Sequence, residues 1–177
     1  SEKNRLIDAR TKQQLLRMDK DAKCDPITFA TAIPPVYDAI VISDYNKGTV
    51  SYELVEDIRQ HYPGPIFIDT KKTVFPTHNC YVKINDLEYS KLNQNYDNLI
   101  ITRGSKGAEY DGILYPGEKV NVYDVVGAGD TFLAALTFGY LKYSRIEDAI
   151  PFANKAAAIA VSNSGTYVLT EEDVSKL

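Results

Sequence analysis

Asp124-Val125-Val126-Gly127-Ala128-Gly129-Asp130-Thr131-Phe132 is the stretch on which the reading of this chain turns. Ahead of it, Lys119 to Tyr123 alternates polar and apolar residues, the pattern of an exposed strand. Behind it, Phe132, Leu133, Leu136 and Tyr140 recur at helical spacing. The two glycines are therefore expected where strand gives way to helix. With no side chains there, the backbone N–H groups of Gly127 to Asp130 can close on a ligand. A helix N-terminus carries unpaired N–H donors and partial positive charge, which suits a phosphate or a developing oxyanion. Asp130 has two readings. A structural Asp at a helix start is a cap. A functional one takes the proton of a hydroxyl that attacks a phosphate. The stretch is not a P-loop, because no Gly-Lys-Ser/Thr follows.

The 177 residues suffice for one domain with its own core, and 44% hydrophobic with 25% charged residues is ordinary for a globular protein. A net charge of −4 gives no basic footprint for nucleic acid. No apolar run reaches membrane-spanning length, and a secretory leader is not expected. Cys24 and Cys80 stand far apart, which predicts two buried thiols in a reducing, cytoplasmic setting rather than a disulfide or metal site. His61 and His78 lack metal-ligand spacing and read as surface or loop residues.

Strands and helices alternate along the chain. Ser1 to Lys23 is polar, either a pair of edge strands or a frayed segment. Pro26, Pro34 and Pro35 mark irregular chain. Tyr37 to Ile42 reads as a buried strand ending in the polar loop Ser43-Asp44-Tyr45-Asn46-Lys47-Gly48, at the strand end where open α/β sheets place ligands. Asp44 is a substrate-side candidate for that reason. Ser51 is expected to cap a helix with Leu54, Val55 and Ile58 inward, stopped by Pro63-Gly64-Pro65. Ile66 to Ile68 is the next strand, so a βαβ unit with parallel strands is expected. Lys71, just beyond it, is either a solvated lysine or a phosphate contact on the substrate side. Cys80 to Ile84 and Leu99 to Thr102 are further strands. Asn85 and Glu88, three apart, share a face of a short helix and suit a capping arrangement. Ala108 to Tyr110 and Ile113 to Tyr115 flank Asp111-Gly112 as a hairpin. Helices are expected from about Gly129 to Tyr143 and from Ile146 to Ser162, the second presenting Ala149, Ala153, Ala156, Ala157 and Ala160. Glu171 to Leu177 forms a last turn.

Asp124 to Thr137 resembles the C-terminal signature of the PfkB, or ribokinase-like, sugar kinases. It has the Gly-Ala-Gly-Asp core, then Thr131-Phe132, the small pair Ala134-Ala135, and Leu136. The resemblance implies a three-layer α/β/α fold with a mostly parallel central sheet, here incomplete, and phosphoryl transfer from ATP. It makes Asp130 the catalytic base and Gly127, Ala128 and Gly129 the anion hole. It places Asn85 and Glu88, as an Asn-x-x-Glu motif, near Mg²⁺ and the phosphates, with Glu88 acting through water. Thr102, Gly104 and Gly107 match a Thr-x-Gly-x-x-Gly segment that lies along the nucleotide. Asn154 matches an Asn bordering the adenine pocket. The match of Asp124 implies a monovalent cation beside it.

Shorter strings resemble heptose-7-phosphate kinases, the kinase part of bifunctional ADP-heptose synthesis proteins. They are Arg10 to Asp19, Ile42 to Gly48, Ile68 to Lys71, Val122 to Val125, Phe152 to Ala157 and Gly165-Thr166. That narrower resemblance implies a sugar-phosphate acceptor, D-glycero-D-manno-heptose 7-phosphate, with ribose and fructose phosphate as alternatives and a non-catalytic nucleotide-binding fragment as a rival. The family's first βαβ units and Gly-Gly sugar motif have no counterpart here. Residues 1–177 are thus expected to be the ATP-binding part of a kinase, with about 1–35 a remnant of lid and linker. The connection between Glu88 and Thr102 is shorter than in relatives, and Lys83-Ile84 stand before Asn85 where relatives often have Thr-Pro. A homodimer is compatible with the sequence but not specified by it.

Overall fold

The computed structural model describes residues 2–11, 13–28 and 36–177. The readings made for Pro34 and Pro35 lie outside the described residues. Two strands open the chain, β1 (Glu2–Ile7) and β2 (Gln14–Lys20), paired antiparallel. All their described side chains are exposed, so this ribbon is held by its ladder and not by a core. Of the two expectations for this region, the pair of strands is the one realised.

The main sheet follows. Its strands are β3 (Ile40–Asp44), β4 (Ile66–Thr70), β5 (Cys80–Asn85), β6 (Leu99–Thr102), β7 (Gly107–Tyr110) and β8 (Ile113–Pro116), in that spatial order. The first four are parallel, and the last two add on antiparallel. The first crossover is α1 (Tyr52–His61). Ser51 Oγ accepts from Leu54 N at 3.0 Å and caps it, and Leu54, Val55 and Ile58 face inward as their spacing predicts.

Alternation along the strands sorts the two cores. Ile66, Ile68, Val82 and Ile84 face α1 and form one apolar cluster with its buried stripe. Phe67 and Ile100 face the other way, onto two longer helices, α3 (Ala128–Tyr143) and α4 (Ile146–Val161). Between them Gly139 lies so close to Ala149 that an added Cβ would stand 3.1 Å from its Cα. Small residues here let two helices approach and cover the sheet together. The one-turn helix α2 (Asp86–Tyr89) follows β5, and α5 (Glu171–Ser175) ends the chain. The result is the expected three layers, helix on sheet on helix.

Three expectations need correction. Lys119 to Tyr123 is not a strand. Among the described residues no strand pairs with it; instead Tyr123 N and Asp124 N donate to Val161 O at 2.8 and 3.3 Å, tying this segment to the end of α4. Alternation alone supplies no ladder partner. The third strand begins at Ile40, not Tyr37, whose carbonyl instead accepts from the Tyr62 hydroxyl at 2.8 Å. Of the two cysteines only Cys80 is buried; Cys24 is exposed, and both are free thiols. Among the described residues no helix is long and apolar enough to cross a membrane.

Candidate active site

The carboxyl ends of β3, β4 and β5 converge on the start of α3, and the glycine turn sits there. Gly127 is the N-cap, with φ +81, a backbone state that favours glycine. Thr131 N closes the first helical bond to Gly127 O at 2.9 Å, and Ala128 N makes a longer bond, 3.3 Å, to Val125 O. The N–H groups of Gly129 and Asp130 have no acceptor among the described residues, as expected in a first helical turn. Asp124 braces the approach, its Oδ1 accepting from Val126 N at 2.9 Å. Asp130 is not the cap. It is the third residue of α3, exposed, and in no ion pair among the described residues.

Tyr45, from the loop after β3, donates its hydroxyl to Asp130 Oδ1 at 3.4 Å. Lys3 and Lys71 lie over its ring, 5.1 and 5.4 Å from the centroid. Burial, and then the charge of Asp130, push the Tyr45 phenol upward, so it stays a donor at neutral pH. Lys71 Nζ is 2.9 Å from Glu88 Oε1. Burial pulls the Lys71 ammonium down, but the Glu88 partner outweighs it and the net shift is upward.

Glu88 and Asn85 form a complete capping box. Glu88 N donates to Asn85 Oδ1 at 2.9 Å, and Asn85 N donates to Glu88 Oε2 at 2.8 Å. With Oε1 on Lys71, both Glu88 oxygens are engaged. Among the described residues no cluster of three His, Cys, Asp or Glu could hold a metal ion. In this arrangement Asn85 and Glu88 hold each other and Lys71.

Asp44 is buried. Its Oδ1 accepts from Asn46 N at 2.8 Å, and its Oδ2 takes Thr70 Oγ1 at 3.1 Å and the Lys72 ammonium at 2.8 Å. It fastens the ends of β3 and β4 together. Beneath the glycine turn lies a pair the sequence reading passed over. Lys83 Nζ is 2.7 Å from Asp69 Oδ2, on adjacent positions of β5 and β4.

The nucleotide candidates lie along the hairpin side. Thr102 Oγ1 donates to Ile84 O at 3.2 Å. Gly104 has φ +57 in a short 3-10 turn with open space around it, whereas a Cβ on Gly107 would stand 2.1 Å from Tyr115 O. Asn154 is buried in α4, and its Nδ2 donates to Tyr115 O and Pro116 O at 2.9 and 3.2 Å. That clamp holds the chain leaving β8 over α4; farther along the same two segments is a cavity of about 410 Å³ lined by Glu118, Val120, Lys155, Ala158, Ile159 and Asn163. A larger hollow of about 780 Å³, by Arg59, Pro65, Asn79 and Tyr140, lies at the opposite, amino ends of β4 and β5. Ligands of open α/β sheets gather at carboxyl ends, which argues against the larger hollow as the site.

The sequence profile of the pfkB family carbohydrate kinases matches residues 83–173, which include the Asn85–Glu88 box, the hairpin, the glycine turn and α4. The chain belongs to that family. Among solved structures, ribokinase from Thermotoga maritima matches this pfkB chain with TM-score 0.62 and 20% identity, covering 78% of this chain and 56% of that one. Phosphofructokinase-2 from Escherichia coli, in complex with potassium, matches with TM-score 0.62 and 19% identity over 78% and 55%. Both likenesses confirm the ribokinase-like fold. The bifunctional protein HldE of Nitratiruptor sp. is 28% identical over 208 aligned positions, covering 99% of this chain and 45% of HldE. The chain spans under half the length of the curated relatives it matches. An alignment longer than the 177 residues also means that the relative carries stretches this pfkB chain lacks.

Tyr45, Asp69 and Lys83 are the site residues that reading the sequence missed. One signal was present for the last: a lysine inside the apolar run Tyr81-Val82-Lys83-Ile84 has to find a buried partner.

Proposed function

We propose that this chain is the ATP-binding part of a sugar kinase that transfers the γ-phosphoryl group to the anomeric hydroxyl of D-glycero-D-manno-heptose 7-phosphate. The observation that carries this is Asp130: an exposed carboxylate, free of ion pairs among the described residues, in the first turn of a glycine-opened helix with unpaired N–H groups. Asp130 takes the acceptor's proton as the new O–P bond forms and the bond to ADP breaks. The amides of Gly129 and Asp130, with Gly127 and Ala128 shaping the turn, stabilise charge on the moving phosphoryl group. Lys71 is within reach to meet a phosphate if it leaves Glu88. Thr102, Gly104 and Gly107 line the way to the nucleotide, and the cavity beside Asn154 takes the base. Mg²⁺ accompanies ATP in such chemistry, but with Asn85 and Glu88 committed to each other and to Lys71 no step is assigned to it. A monovalent cation near Asp124 is part of the proposal, supported by the potassium complex of the phosphofructokinase-2 relative. So are a cytoplasmic setting and sugar-phosphate and ATP as partners.

The heptose assignment is supported by the HldE likeness and by the short strings shared with heptose-7-phosphate kinases. The test is a phosphotransfer assay on the full-length parent protein with heptose 7-phosphate, ribose and fructose 6-phosphate in parallel. Transfer to heptose 7-phosphate is expected. Transfer to ribose alone rejects the heptose and keeps the kinase, while ATP unconsumed with every acceptor rejects the kinase. A second reading, nucleotide binding without transfer, is favoured by the engagement of both Glu88 oxygens.

A further inference from the structure

Lys83 and Asp69 take no part in the chemistry above, yet they form the most deeply placed ion pair at the site. Lys83 is 5% exposed, in a row with Tyr81 on the sheet face that α3 and α4 cover. Its Nζ would lie 2.8 Å from a Cβ built on Gly129, so the ammonium fills the space that any side chain at position 129 would need. A cation has the wrong sign for the N-terminus of a helix. A buried ion pair is also a poor way to gain stability, since an apolar pair of the same volume does as well or better. Asp69 neutralises the ammonium, Lys71 and Glu88 balance each other, and Asp130 is the carboxylate of the first turn of α3 itself. The turn where Gly129 and Asp130 offer free N–H groups therefore sits directly over a buried cation.

We propose that Lys83 is a positioning residue of the phosphoryl-transfer centre, its ammonium locked under Gly129 so that fixed positive charge reinforces the start of α3 toward the ATP phosphates. This rests on the nucleotide-binding reading. Asp69 holds the ammonium in place and, by its own charge, limits how strongly the turn attracts phosphate. Gly129 and Lys83 are then fitted to each other: the glycine makes room for the cation, and the cation makes the glycine turn a stronger anion site.

The two members of the pair should act in opposite directions, which a purely structural staple would not do. ATP and adenosine are titrated separately into the full-length parent protein, in chelator so that no metal bridges the phosphates. Lys83→Met should weaken ATP binding about tenfold or more, the scale of one lost charge-assisted contact, and leave adenosine binding unchanged. Asp69→Asn should strengthen ATP binding several-fold. Equal weakening by both variants, or no change in either, overturns the inference. Thermal melts check that each variant folds; if Lys83→Met does not, the direction of Asp69→Asn and a Lys83→Gln variant decide. Should the unaltered protein bind neither ligand, the nucleotide reading fails and this inference with it. Binding that is insensitive to the variants removes Lys83 alone.

Discussion

The Tyr45 hydroxyl stands 3.4 Å from Asp130 Oδ1, and it is the one side-chain donor on that carboxylate among the described residues. Asp130 Oδ2 has no partner among the described residues and is the oxygen open to an acceptor hydroxyl. At this length the bond is weak, so it orients the carboxylate without tying it up. In the full-length parent, Asp130→Asn is expected to cut turnover by about 10²–10⁴-fold, the worth of a positioned base, with ATP affinity little changed. Tyr45→Phe should cost less than about tenfold, the smaller effect of a long hydrogen bond. Steady-state kinetics of the two variants checks the ranking. A Tyr45→Phe loss equal to that of Asp130→Asn would overturn the ranking and make the tyrosine as important as the carboxylate.

The two glycines of the turn are required for different reasons. Gly127 needs a positive φ, so Gly127→Ala should destabilise by about 1–2 kcal/mol through backbone strain. Gly129 sits at the Lys83 ammonium, so Gly129→Ala should cost about 1–3 kcal/mol by overpacking. Denaturant unfolding measures both. Combining Gly129→Ala with Lys83→Met should recover part of the loss, whereas Gly127→Ala should gain nothing from the second change.

Asn154 clamps two carbonyls of the β8 end to α4. Asn154→Ala leaves both Tyr115 O and Pro116 O without their donor, a loss of about 1–3 kcal/mol. Stability should fall by that amount, and adenosine binding should weaken with it, because the clamp anchors the segment that runs on to Glu118 and Val120 in the cavity wall. A normal melt with weak adenosine binding would instead put Asn154 in direct contact with the base.

Burial pushes the Cys80 thiol up to about 11 from an ordinary value near 9, and burial likewise raises Tyr81. Each group binds its proton more tightly folded than unfolded. The stability this contributes is complete below the unfolded value and is lost as pH rises through the folded one. For Cys80 the window is pH 9 to 11 and the scale about 1–3 kcal/mol. Urea unfolding across that range should show falling stability, and Cys80→Ala should flatten the slope. Alkylation at pH 8 should mark exposed Cys24 and spare Cys80.

The parts of the fold legible in the sequence were those written in local chemistry. Ser51 ahead of a helical stripe, Ile66-Phe67-Ile68 between a Pro-Gly-Pro stop and a polar end, and Asp111-Gly112 between two apolar runs each contain their own signal. Leu99 to Thr102 was read with its observed limits. Lys119 to Tyr123 failed because alternation says nothing about whether a neighbouring strand exists. At the site, the glycine turn was legible because it is continuous in the chain. Lys83 and Asp69 were not, because only the register of β4 against β5 brings them together. The partners of Asp44 were hidden for a related reason: Thr70 and Lys72 are brought to its carboxylate by the neighbouring strand.

The reversal of strand direction at β6 divides the sheet into two kinetic classes. The parallel strands β3 to β6 can meet only after long stretches of chain have been brought round, which carries a large loop-closure entropy. The β7–β8 hairpin and the α3–α4 helical pair join neighbours across short connections and need no such closure. The antiparallel edge and the helical pair are therefore expected to gain hydrogen-exchange protection early in refolding. The carboxyl-end cluster of Tyr45, Asp69, Lys83 and Asp130, drawn from both halves, would then assemble last.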